Sequence, residues 1–230
     1  MIPLLFTDSA GDDYGLLYAY PRAALFAEAG FADLTGFEAL EEGGKVVLRV
    51  RLSRLANPQN APGGFSLTTV AVYVDTGPGG ETELPGAGFR TPDDAGWERA
   101  YLLTGWKSEE RRANGAAKPV EFAINGEWLE LRPDLPAGDY GYFVATGLYD
   151  PFTDWNFRPV RPGGGAWVLD GRAGSPPAVD ILTPNRSQTR TYQEGVLPPV
   201  RATQNRYLWA ALSGAAGLLI LMLSLFLPRR

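Results

Sequence analysis

The chain has 230 residues, 45% hydrophobic and 20% charged, with 21 Lys and Arg against 26 Asp and Glu, and with no Cys and no His. That balance belongs to a folded chain, not a disordered one. The missing thiols and imidazoles exclude disulfides, iron–sulfur and zinc–thiolate centres, Ser-His-Asp triads and His-ligated metals, and a net charge of −5 gives no support to nucleic-acid binding.

In chain order, the opening Met1–Phe6 run is too short for the apolar region of a signal peptide and lacks a positive leader. Three readings stay open: the chain follows a removed signal, its start lies further upstream, or it is tail-anchored. Arg22 to Ala29 fits a helical turn or two. Val46 to Leu52 ends in apolar/charged alternation, the pattern of a half-solvated strand. Leu67 to Asp75 (LTTVAVYVD) is a nearly continuous β-branched run, as expected of a central strand. Trp97 to Trp106 is a further strand, and Ser108 to Asn114 a second short helical stretch. Val120–Ile124 and Glu127–Leu131 flank Asn125-Gly126, the strongest short-range hairpin signal. Tyr140 to Leu148 is a sixth strand. Turn clusters at Asn57-Pro58, Pro62–Gly64, Gly77–Gly80, Pro92–Asp94 and Pro162–Gly165 punctuate these runs. Many short strands at this spacing predict an all-β fold, an antiparallel β-sandwich over residues 1–184.

Residues 185–206, polar and broken by Pro198-Pro199, read as a linker. From Leu208 to Leu227 follow twenty residues without an ionisable side chain; as a helix they extend about 30 Å, the thickness of a bilayer core. Tyr207 and Trp209 stand at one interface, and Pro228-Arg229-Arg230 closes the other. Residues 207–230 are therefore expected to form a transmembrane helix with a short basic tail. Arg201 and Arg206 on one flank balance Arg229 and Arg230 on the other, so sidedness stays open. Such a stretch ending in two Arg also fits a cleaved sorting signal.

The N-terminal residues carry a resemblance. Asp8, Gly11, Asp12, Asp13, Gly15, Tyr18, Tyr20 and Pro21 match the opening signature of the C-terminal binding module of glucodextranase, a DOMON-like family also found on pullulanases. The match continues through Phe31, Asp33-Leu34, Phe37-Glu38, Asn57-Pro58, Gly64–Ser66, Tyr73–Thr76, Gly105-Trp106, Trp155 and Arg158-Pro159. In one departure, Leu16-Leu17 replaces the usual Pro-Gly. The resemblance implies a DOMON-like sandwich, an extracytoplasmic location and non-catalytic binding of a polysaccharide or glycan. Haem, bound by relatives in the broader DOMON group, is not expected, because the chain has no His and Met222 lies within the apolar run.

Two candidate sites stand out. Asp8, Asp12 and Asp13 lie within six residues. Crowded carboxylates suit Ca²⁺, and Gly11-Asp12-Asp13 equally suits a turn closed by Asx hydrogen bonds. Calcium is the one cofactor the sequence suggests. The loop from Tyr149 to Pro159 combines aromatics with carboxylates, an amide and Arg. Flat rings flanked by hydrogen-bonding groups are what a sugar requires. Tyr149, Asp150, Asp154, Trp155, Asn156 and Arg158 are thus the candidate ligand-binding residues, while Trp155 also fits an aromatic plug at one end of the sandwich. Tyr18 and Tyr20 read as core.

No catalytic residue is expected. Glu81/Glu83 and Glu127/Glu130 read as solvated charges, and Gly77–Gly80 lacks the Lys-Ser/Thr and the helix of a phosphate loop. The expected function is a membrane-anchored, extracytoplasmic carbohydrate-binding module of the cell envelope. The alternative is a structural component of an envelope or surface assembly that contacts protein.

Overall fold

The computed structural model describes residues 3–113, 115–183 and 187–202. The strands among them, in chain order, are β1 (Leu4–Thr7), β2 (Leu34–Glu42), β3 (Lys45–Leu52), β4 (Thr68–Asp75), β5 (Glu83–Leu84), β6 (Phe89–Arg90), β7 (Arg99–Thr104) and β8 (Ser108–Arg112). They continue with β9 (Lys118–Pro119), β10 (Phe122–Asn125), β11 (Trp128–Leu131), β12 (Gly141–Leu148), β13 (Val160–Arg161), β14 (Leu169–Asp170), β15 (Ala178–Ile181) and β16 (Val200–Arg201). A 3₁₀ turn at Ala24–Phe26 falls inside the first predicted helical stretch, and one α-helix, α1, spans Gln188–Glu194.

Two antiparallel sheets form the body. The first runs β1-β2-β3-β11-β10 and the second β15-β12-β4-β7-β8-β9, with β16 extending the edge of β12 beyond β15. Between them lies a core of Phe37, Leu48, Val50, Leu129 and Leu131 from the first sheet against Val70, Val72, Tyr101, Leu103 and Val144 from the second. The other face of the second sheet is also covered. Tyr73, Leu102, Phe143 and Ala145 pack there against Phe26, Phe31, Phe89, Trp97, Phe157, Leu169 and Tyr192, supplied by loops, short strands and α1. This double burial explains the unbroken apolar character of β4 and β12, every residue of which is buried. The first sheet has one wet face, so β3 alternates instead, with Arg49 and Arg51 stacked on the Trp128 ring.

The expected hairpin at Asn125-Gly126 is present, with Gly126 at φ 64° joining β10 to β11. Two expectations are corrected. Ser108–Arg112, read as helical, is a strand paired with β7. Its charges satisfy one another across i,i+2 positions, which share a strand face: Arg111 with Glu109 and Arg112 with Glu110. The segment read as a polar linker is the second. Residues 187–202 fold onto the sandwich: Tyr192 and Leu197 enter the second core, Val200 pairs with Tyr142, and Arg201 forms an ion pair with Asp75. Its few apolar residues are spaced to reach the sheet, and Gly195, left-handed at φ 66°, ends α1 and turns the chain back. The predicted span Leu208–Leu227 lies outside the described residues. Among the described residues no helix is long and apolar enough to cross a membrane.

Candidate functional site

The loop from Tyr149 to Pro159 crosses one end of the second sheet, closed by a bridge between Tyr149 and Phe157. Asn156 is its hub. It adopts a left-handed conformation at φ 57°, and its amide donates to the carbonyls of Asp150 (2.9 Å) and Thr153 (3.3 Å). The Thr69 hydroxyl donates to its backbone oxygen at 2.6 Å. Arg158 is also committed, donating to the carbonyls of Tyr149 and Trp167, each at 2.5 Å, while burial pushes its pKa down. Trp155 stacks on Tyr73 at 5.7 Å, meets Trp97 edge-on at 6.1 Å, and lies beneath the Arg111 guanidinium at 4.5 Å. Its ring is therefore taken up by packing.

The six residues do not share one cleft. Asp150 and Arg158 line a cleft of about 710 Å³ with Phe152, Thr153, Arg161 and Trp167. Asp154 and Trp155 line a separate cleft of about 560 Å³ on the side of Glu81, Glu83 and Arg111. Asn156 is buried, and Tyr149 tilts against Trp106 at 6.3 Å. The residues best placed to meet a ligand are two absent from the candidate set: Phe152, 95% exposed, and Trp167, 52% exposed, in the larger cleft. Phe152 lay inside the recognised loop. Trp167 lies just after Gly163-Gly164-Gly165, outside the loop that the sequence singled out.

The acidic turn is rearranged too. Asp13 accepts from the Tyr20 hydroxyl through Oδ2 at 2.6 Å and is not among the carboxylates whose oxygens come together. Asp12 instead meets Asp33, just before β2, and Asp180, on β15, with one carboxylate oxygen from each lying within 4.8 Å of the others. Asp8, at the end of β1, adds a fourth charge that acts on Asp180. Burial pushes Asp8 up to about 7 and Asp180 up to about 9, and raises Asp12 and Asp33 as well; repulsion from neighbouring carboxylates, Asp13 among them, adds to each shift. Backbone N–H groups hold the buried pair in place. Leu34 and Ile181 each donate to Asp180 at 2.7 Å, and Gly11 donates to Asp33 at 2.9 Å. Tyr18 and Tyr20 belong to the core as expected. Tyr18 packs in the second core and Tyr20 lies against Phe31.

The family model described as the C-terminal binding module, SLH-like, of glucodextranase matches residues 4–210. The chain belongs to this family. No curated protein matches it. The match carries past residue 184 and takes in α1 and β16, in agreement with their packing on the sandwich. Leu17, in the Leu16-Leu17 pair noted above, is left-handed at φ 60° and 84% exposed.

Proposed function

We propose that this module binds polysaccharide without altering it, and that the sugar seats in the cleft between Phe152 and Trp167. The observation that carries the reading is the pairing of two solvent-facing rings with polar groups in one concave surface. An apolar ring covers the C–H face of a pyranose, while Asp150, Thr153 and Arg161 offer acceptors and donors to its hydroxyls. Membership of a binding-module family supports the same role. The Trp155 cleft is the weaker seat, because its aromatic surface is spent on Tyr73, Trp97 and Arg111.

Titration of the full-length chain with α-glucans tests this. Phe152→Ala and Trp167→Ala are each expected to weaken binding about five- to thirtyfold, since stacking on one ring is worth roughly 1–2 kcal/mol. Unchanged affinity in both variants sinks the seat. No binding across a glycan array, with envelope proteins co-purifying instead, favours the protein-contact role. We further propose that Leu208–Leu227 anchors the module to a membrane with the sandwich on the extracytoplasmic side. Retention in the membrane fraction after alkaline carbonate washing, together with protease access from outside intact cells, is the expected result.

A further inference from the structure

We propose that Asp8, Asp12, Asp33 and Asp180 form a calcium site that ties the two sheets together at one end of the sandwich. Carboxylate oxygens of Asp12, Asp33 and Asp180, from the turn after β1, the entry to β2 and β15, lie within 4.8 Å of one another, and Asp8, at the end of β1, is the fourth carboxylate, whose charge acts on Asp180. Three of their oxygens are buried without any hydrogen-bond partner: Asp8 Oδ2, Asp12 Oδ1 and Asp33 Oδ1. Asp33 as a residue is 1% exposed, so its unpartnered oxygen is cut off from solvent on a side chain that meets Asp12 and Asp180. A buried carboxylate oxygen left without a partner is costly, and three on neighbouring carboxylates compound the cost unless a cation joins them. Among the described residues, no Lys or Arg figures among the groups acting on any of the four.

The donor chemistry selects the ion. Only hard oxygen donors are present, which excludes a preference for thiolate- or imidazole-seeking metals. Ca²⁺ takes many protein oxygens in a flexible arrangement, whereas Mg²⁺ keeps most of its waters and uses one or two carboxylates. Four carboxylates on three scaffolds fit the first habit. The surroundings hold the ligands in position: Leu34 N–H donates to Asp180 Oδ2, Ile181 N–H and the Gln188 amide (2.6 Å) donate to Oδ1, and Gly11 N–H donates to Asp33 Oδ2. Asp180 Oδ2 accepts that single bond and keeps a lone pair for the ion. Gln188 opens α1, so the ion also stands behind the docking of the C-terminal segment.

The test is calorimetric titration and thermal melting of the full-length chain after chelator treatment, with CaCl₂ and MgCl₂ as probes. Calcium is expected to release or absorb heat with one site per chain and to raise Tm by several degrees, with magnesium at least tenfold weaker. Asp33→Asn and Asp12→Asn should each lower calcium affinity at least tenfold, the latter serving if the more buried substitution fails to fold. Asp94→Asn, at an exposed carboxylate outside the cluster, should stay within twofold of the parent. The site is overturned by a silent titration with no melting shift, by magnesium binding as tightly, or by a calcium response that survives both Asn variants.

Discussion

Leu17 occupies a backbone conformation that costs an L-residue with a side chain about 1–2 kcal/mol, and its own side chain is almost wholly in water, so packing returns little. Leu17→Gly is expected to raise stability by about 1 kcal/mol, read by urea denaturation, with the entropy of the new glycine offsetting part of the relief. Trp155 and Trp167 make a second contrast between neighbours of the same type. Truncating Trp155 removes its contacts with Tyr73, Trp97 and Arg111. That change should cost about 3 kcal/mol, whereas Trp167→Ala, half-exposed and with one edge-on contact to Phe26, should cost about 1 kcal/mol. Equal losses in the two variants would contradict the division between packing and binding aromatics.

At the scale of elements, the segment from Ser187 to Ala202 matters most. Tyr192, Leu197 and Val200 are all buried, and at about 2 kcal/mol each their burial contributes about 6 kcal/mol, comparable to the whole stability of many domains. A chain ended at Thr183 is therefore expected to melt without a cooperative transition, or to bind a dye specific for exposed apolar surface. A dispensable linker would leave the melting curve unchanged. The sequence hid this element because seven helical residues and a two-residue strand, flanked by Pro198-Pro199, show no periodicity long enough to register. In β8 the opposite failure occurred. Ser108–Arg112 is rich in helix formers, but pairing with β7 on one side and β9 on the other outweighs a few tenths of a kcal/mol of propensity per residue.

For the whole molecule, the acidic cluster sets the dependence of stability on pH. Each of its carboxyls has a folded pKa above the ordinary value of 3.8, so the folded state binds protons more tightly than the unfolded chain. The metal-free protein should lose stability as pH rises from about 4 through about 7 for Asp8 and on to about 9 for Asp180. Melting in a chelator is expected at a higher temperature at pH 5.5 than at pH 8.5. The reverse order would show that these groups do not govern stability in that window.

Local order was written in the chain: the alternation of Val46–Leu52, the uninterrupted run of Leu67–Asp75, the Asn125-Gly126 turn and the family signature from Asp8 to Pro21 each depend on residues near one another. The loop holding Phe152 was legible for the same reason. What required the fold was every relation between distant segments. Asp12 gains its partners from positions 33 and 180, Asp13 accepts from Tyr20, Trp155 is claimed by Tyr73, and Trp167 arrives beside Phe152 from another loop. Backbone propensity and periodicity act over a few residues, whereas burial and charge proximity are properties of surfaces that come together only when two sheets pack, so a one-dimensional pattern specifies the strands but not which side chains they bring face to face.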